Sequence, residues 1–174
     1  QRWDHASLKM DGGITYSERD DRINGETFTT DEELRGHFFA EGLWDINDKW
    51  RSGFDVEYAS DDQYLRQYDF SSEDVLESQV YAERFEGRHY TSARLITYQD
   101  VRVGDLQNPD QPEVLPEVVT SWIGEPGSVP LIGGRWEVGG SALGLRRDGD
   151  EQNVGRLSLN AGWRRRLVSD VGLL

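Results

Sequence analysis

The chain carries 33 Asp and Glu against 19 Lys and Arg over 174 residues, a formal charge of -14 that repels a phosphate backbone and excludes nucleic acid as a partner. It has no cysteine, so neither a disulfide framework nor a thiolate metal site is available. No apolar run approaches the roughly 18 residues of a membrane-spanning helix, and the opening QRWDHASLKMDGG lacks the apolar stretch of a signal peptide.

Any bilayer crossing must therefore use strands. A mean hydropathy of -0.73 is compatible with that, because barrel strands face water on one side and lipid on the other. A first strand is predicted near Leu8 to Tyr16, followed by a long connection from about Arg19 to Glu33. Between Leu34 and Tyr58 two segments alternate at period two around Asn47-Asp48-Lys49. One face carries Leu34, Phe38, Ala40, Trp44 and Ile46, then Trp50, Ser52, Phe54, Val56 and Tyr58. The other carries Arg35, His37, Phe39, Glu41, Leu43 and Asp45, then Arg51, Gly53, Asp55 and Glu57.

A one-residue slip would invert every side chain of a strand relative to its partner, so the register can be tested on paper. A three-residue loop at Asn47-Asp48-Lys49 pairs Trp44 with Ser52, Gly42 with Phe54, Ala40 with Val56 and Phe38 with Tyr58, and sets Asp45 opposite Arg51. It also places the left-handed loop position on Lys49, where glycine is usual. A second hairpin is predicted around a two-residue turn at Glu86-Gly87, with Gln79 opposite Arg94 on the polar face.

Further strands are predicted at Val114 to Ile123, Arg135 to Arg146 and Val154 to Arg165. In the last, Leu157, Leu159, Ala161 and Trp163 alternate with Arg156, Ser158, Asn160 and Arg164. Apolar parity switches between Val138 and Leu143, which predicts a bulge at Gly139-Gly140 that includes Ser141. The result is an all-β, antiparallel, up-and-down set of about eight strands, with no internal domain boundary over 1–174. Long and short connections alternate, as in bacterial barrels, over the first five links.

Two architectures fit this pattern. One is a stretch of transmembrane β-barrel, in which Arg35, Glu41, Asp45, Arg51, Asp55, Glu57, Gln79 and Arg94 face the lumen. Phe38, Trp44, Trp50, Phe54, Val56, Tyr58, Leu157, Leu159 and Trp163 then face lipid, with Trp44, Trp50, Tyr58 and Trp163 as candidates for interfacial aromatic girdles. The other is a soluble β-sandwich, for instance a carbohydrate-binding module, that buries the same apolar faces against a second sheet.

No cofactor or catalytic constellation is indicated. Acidic residues crowd two loops, at Asp20, Asp21, Glu26, Asp31, Glu32 and Glu33 and at Asp61, Asp62, Asp69, Glu73 and Asp74. Ca²⁺ or Mg²⁺ ligation is one reading of them, but without regular metal-loop spacing a solvated loop is the better one. Carboxylates such as Glu41, Asp55 and Glu57 are cheap to find in so acidic a chain, and lumen hydration accounts for them without an acid and nucleophile pair. His5, His37 and His89 share no metal-ligand spacing and read as half-exposed strand residues.

The segment WRSGFDVEYASDDQYLRQYDF resembles the barrel domain of the LptD (Imp/OstA) family, particularly its alphaproteobacterial members. GHFFAEGLWDINDKW before it, and VYAERFEGRHY, VLPEV, GGRW and GRLSLNAGW after it, extend the resemblance from about Gly36 to Trp163. It implies a cell outer-membrane location and a role in placing lipopolysaccharide in the outer leaflet. It also implies outer-membrane lipid around the wall, a plug lipoprotein in many members and a periplasmic lipopolysaccharide-transport bridge. The segment resembles neither barrel end nor the family's jelly-roll domain. Taken alone, it is expected to form an open curved sheet of wall and lumen lining without transport activity.

Overall fold

The structure, a computed structural model, describes residues 2–18, 20–23, 26–29, 31–61, 63–101, 113–146, 153–166, 168–169 and 172–173. The alternating segments form eight long strands: β1 (Ala6–Ser17), β2 (Glu33–Asp45), β3 (Trp50–Ala59), β4 (Val75–Glu86), β5 (His89–Asp100), β6 (Glu113–Ile123), β7 (Arg135–Arg146) and β8 (Val154–Arg164). A single helical turn, α1 (Tyr64–Gln67), lies between β3 and β4. The strands pair antiparallel in chain order, with a two-residue strand, Arg2–Trp3, on the outer edge of β1. β8 forms the opposite edge, so the sheet is open. Two small ribbons, Asp20–Ile23 with Glu26–Thr29 and Val168–Ser169 with Gly172–Leu173, are separate from it.

Because side chains alternate and the pairing is in register, polarity propagates across the sheet. On one side Met10 pairs with Ala40 and Ala40 with Val56, while Phe54 pairs with Val80 and Val80 with Leu95. The same side continues through Ala93, Val118, Ala142 and Leu157. On the other side Lys9, Glu41, Asp55 and Gln79 are successive partners, as are Tyr81, Arg94 and Glu117. One face is thus apolar from β1 to β8 and the other carries most of the polar residues, with Leu143 and Leu145 on that polar side because β7 runs through Gly139-Gly140 without a bulge.

The first hairpin has the expected register, with Phe38 opposite Tyr58, Gly42 opposite Phe54 and Asp45 opposite Arg51. Its turn differs from expectation, because Lys49 is not left-handed. Asn47 closes the loop instead: its Oδ1 accepts the amides of Lys49 (2.9 Å) and Trp50 (3.0 Å), an Asx turn that needs no positive φ.

The second hairpin is shifted by two residues. Its loop is Gly87-Arg88, with Glu86 opposite His89, and Gln79 pairs with Ile96 while Arg94 faces Tyr81. The left-handed residue, Gly87 at φ 59°, is the first of the two loop positions, as a type II′ turn requires. A slip of two preserves which face each side chain occupies, so face patterning has no power to detect it.

The predicted bulge also moves. Gly139, Gly140 and Ser141 pair regularly with both β6 and β8, and the irregularity lies in β6 at Leu115-Pro116, where both neighbouring ladders shift register. Pro116 has no N–H to give to a ladder. Gly144, facing this bulge, has the Leu115 carbonyl where a Cβ would go. Gly139 and Gly140 instead make room for the Asn160 and Leu159 side chains.

Glycine has a comparable use at Gly53, which lies beneath the Tyr81 ring. Alanine in a strand is ordinarily the more stable residue by about 0.5–1 kcal/mol, but here its methyl would overlap the ring. Gly53→Ala is expected to destabilise the fold by about 1–3 kcal/mol, read as a lower unfolding midpoint. A raised midpoint would show that Tyr81 is free to swing aside.

Few side chains are fully buried. Ala59, Tyr64, Leu65, Leu76 and Val101 form a small core against Phe39, beside α1. By contrast Ile14, Leu157 and Leu159 of the apolar face are 78%, 74% and 79% exposed.

Candidate functional site

The polar face is closed at one end by the segment that follows β3. Ser60 extends the β2–β3 pairing by donating its amide to the Gly36 carbonyl (2.9 Å), and its hydroxyl accepts the Gly36 amide (2.9 Å). Asp61 then turns the chain: its Oδ1 accepts the amides of Gln63 (3.1 Å) and Tyr64 (2.9 Å), which satisfies donors at the start of α1. The Ser60 hydroxyl donates to Asp61 Oδ2 at 2.8 Å.

Arg35, on the polar face of β2, holds this turn down. Its Nε donates to Asp61 Oδ2 at 2.9 Å and one terminal nitrogen to Oδ1 at 2.7 Å, the two-pronged geometry that suits a guanidinium and a carboxylate. The other terminal nitrogen donates to Gln67 Oε1 (2.8 Å) and to the Glu18 carbonyl (3.3 Å). One side chain therefore ties the end of β1, the turn and the end of α1 together. Both partners are buried, with side chains 1% and 4% exposed. Burial works to raise the Asp61 carboxyl, but hydrogen bonds from Arg35, Ser60 and Gln63 outweigh it and hold the group below the ordinary carboxylate range.

His37 lies on the same face of β2 as Arg35. It is buried, in contrast to the half-exposed position expected of it. Its Nε2 lies 3.0 Å from Asp11 Oδ1, and its ring packs against Phe70 (4.2 Å), Phe39 (4.9 Å) and Tyr64 (5.7 Å). The 63–70 segment thus presents an aromatic underside to the polar face of β1 and β2. Asp69 and Asp74 of the acidic loop are exposed, and Asp74 pairs with Arg66; Asp62 lies outside the described residues. Among the described residues no three acidic or histidine side chains gather as a metal site.

Away from this docked loop, Lys9, Asp11, Glu41, Asp55 and Glu57 border a cleft beside Phe39. A second hollow holds Tyr81, Tyr90, Glu83, Arg94 and Glu117, in which Arg94 pairs with Glu117 and the Tyr90 hydroxyl donates to Glu83 Oε1 (2.7 Å). Arg51 Nε donates to Asp45 Oδ1 at 2.9 Å. The structure therefore places Arg35, Glu41, Asp45, Arg51, Asp55, Glu57, Gln79 and Arg94 on one continuous face. Alternating donors and acceptors of this kind hydrate well and can hydrogen-bond a polar solute.

Phe38, Trp44, Trp50, Phe54, Val56, Tyr58, Leu157, Leu159 and Trp163 share the opposite face. Trp44, Trp50 and Trp163 lie at the end where the short turns are, whereas Tyr58 lies at the other end. Trp136 pairs with Trp163, and Trp122 lies between His89 and Val138, so these two join the same row. Sequence reading had no means of aligning them, because the row depends on the register of every strand between.

An open up-and-down antiparallel sheet with one apolar and one polar side is the wall type of β-barrels, and residues at its two ends define an aromatic row and a docked loop. The model of one family, LptD, LPS transport system D, matches residues 33–174, and the chain belongs to that family. The family functions in lipopolysaccharide transport and is not a family of enzymes. No curated protein and no solved structure matches the chain.

Proposed function

We propose that the chain is wall and lumen lining of an outer-membrane barrel through which lipopolysaccharide passes. The observation that carries this reading is the uncovered apolar face. Each large apolar side chain left in water forgoes about 1.5–3 kcal/mol of burial, and here such side chains form a continuous surface against which no second sheet packs among the described residues. Hydrocarbon supplies the missing contact. The strands, 10 to 13 residues long, suit the roughly 9–11 residues that a tilted strand needs to cross.

On this reading residues 1–174 are part of a single barrel domain without catalytic activity. The polar residues from Arg35 to Arg94 face the lumen and, where one is present, a plug lipoprotein, while the periplasmic transport bridge engages other parts of the wall. A soluble carbohydrate-binding sandwich has no observation in its favour, since it requires a covering sheet.

Single cysteines at Val80, Leu159, Glu41 and Arg94, in the protein reconstituted in phospholipid bilayers, test the assignment. A lipid-soluble maleimide is expected to label the first two and a membrane-impermeant, water-soluble one the last two. Rapid labelling of Val80→Cys and Leu159→Cys from water would overturn it.

A further inference from the structure

We propose that the long-loop end of the seam between β3 and β4 is a gate in the sheet, strapped shut by α1, and that its opening joins the polar side to the apolar side. β3 and β4 pair from Trp50 with Arg84 to Asp55 with Gln79, and among the described residues their ladder goes no further. Both strands nevertheless continue. β3 runs on to Ala59 against His37 of β2, and β4 begins at Val75 against Asp100 of β5. Each stretch is therefore held by a ladder on its outer side, and side chains close the gap between them. The Ser78 hydroxyl accepts the Glu57 amide (2.9 Å) and donates to the Glu57 carbonyl (3.1 Å). The Gln99 carboxamide reaches across from β5, its Oε1 accepting the Ala59 amide (3.1 Å) and its Nε2 donating to the Ala59 carbonyl (2.6 Å). Glu57 Oε2 in turn accepts the Glu77 amide (3.3 Å). Backbone groups that a neighbouring strand would ordinarily satisfy are thus satisfied by a serine, a glutamine and a glutamate. A side chain leaves by rotating about its own bonds, whereas a ladder bond breaks only when the backbone moves, so the sheet parts here at least cost.

Two hollows meet at this seam. Val56, Ser78 and Thr97 line one of about 240 Å³ on the apolar side, together with Phe54, Val80 and Leu95. Asp55 and Glu57 border the cleft on the polar side. The contact of Ser78 with Glu57 lies between them, so its parting connects the two. α1 spans the same seam, because Tyr64 and Leu65 are buried in one cluster with Ala59 of β3, Leu76 of β4 and Val101 just after β5. That cluster holds the two stretches together while α1 is docked, and docking depends on the two-pronged contact of Arg35 with Asp61. The ion pair thus acts on the gap through the packing of α1. The gap and its strap are independent of what lies outside the sheet; only the identity of the apolar side as a lipid surface rests on the wall reading above.

The test combines hydrogen exchange with cysteine labelling of the protein reconstituted in phosphatidylcholine bilayers. Gln99→Ala removes one closing side chain and should speed exchange of the Ala59 amide roughly 10-fold. Asp61→Asn, by releasing α1, should speed exchange at both Glu57 and Ala59 roughly 10-fold. In either background Val56→Cys should react with a water-soluble maleimide roughly 10-fold faster than in the otherwise native chain. The Gly53 and Asp55 amides, which face β4 within the intact ladder, should keep their native exchange rates. Unchanged exchange at Glu57 and Ala59 in Asp61→Asn would overturn the strap, and unchanged labelling of Val56→Cys in both variants would overturn the gate. Acceleration that extends equally to Gly53 and Asp55 would also overturn it, because the whole sheet would then be loosening. Leu159→Cys, on β8, separates the two readings. Its rapid labelling from water refutes the wall assignment, whereas its protection while Val56→Cys stays unreactive in both variants refutes the gate alone.

Discussion

Replacing Asp61 with asparagine is expected to destabilise the docked loop by about 3 kcal/mol, the low end of what breaking a buried ion pair costs. The substitution keeps an oxygen for the amides of Gln63 and Tyr64 but leaves the Arg35 guanidinium buried without its counter-charge. Gln67 and the Glu18 carbonyl still accept from it, which argues for the low end. Hydrogen exchange at the Gln63 and Tyr64 amides reads the effect directly, since both donate to Asp61. Removing both charges together, as in Arg35→Met with Asp61→Asn, should recover most of the loss, because no buried charge is then left unpaired while the side-chain oxygen at position 61 still accepts the Gln63 and Tyr64 amides. If Asp61→Asn exchanges like the wild type, the pair does not hold the loop.

The same pair sets an acid dependence. The Asp61 carboxyl titrates below its unfolded value of about 3.9, so the stability it contributes is fully present above that value and is lost as pH falls through the folded value. Docking should therefore persist at neutral and mildly acidic pH. It should be released only below the range in which ordinary aspartates protonate, and Asp61→Asn should abolish this acid transition.

The second large effect concerns the apolar face. Val80→Arg, in the middle of β4, is expected to cost about 2–4 kcal/mol of folding stability in a bilayer. Gln79→Arg, one residue along on the polar face and opposite Asp55, should be close to neutral. A buried sandwich core would also reject arginine at Val80, so depth supplies the discriminating comparison. Ser52 lies level with Trp44, and the native Arg84 lies level with Trp50, so the aromatic row already accommodates a guanidinium. Ser52→Arg should cost only about 0–1 kcal/mol if that row marks the bilayer interface. Equal penalties at Val80 and Ser52, measured by reversible unfolding into detergent and urea, would argue against lipid on this face.

These experiments separate two functions that share one sheet. The polar face is covered at the long-loop end, where Arg35, His37 and the 63–70 segment pack together. The apolar face is left bare, with Leu157 and Leu159 among its most exposed side chains. A role in lipopolysaccharide transport follows from the family, and the sheet carries surfaces of opposite character on its two sides.

Much of the architecture was legible in the residues alone. Period-two alternation determined that the chain is strands, and the side chains of Phe38, Trp44, Phe54, Val56 and Tyr58 determined the register of the β2–β3 hairpin, because a one-residue slip there would set apolar against charged. Tertiary structure decided what alternation does not encode. The β4–β5 hairpin is shifted by two residues, a change that leaves every face intact. The bulge lies at Leu115-Pro116, where a missing amide interrupts two ladders, and the glycines first suspected serve the neighbouring Asn160 and Leu159 side chains. Arg35 and Asp61, 26 positions apart, meet only because the chain turns back onto the polar face after β3, while Trp122, Trp136 and Trp163 line up only through the combined registers of β6, β7 and β8. Local pattern sets the polarity of each face, whereas contacts between distant residues are set by the cumulative register of the sheet.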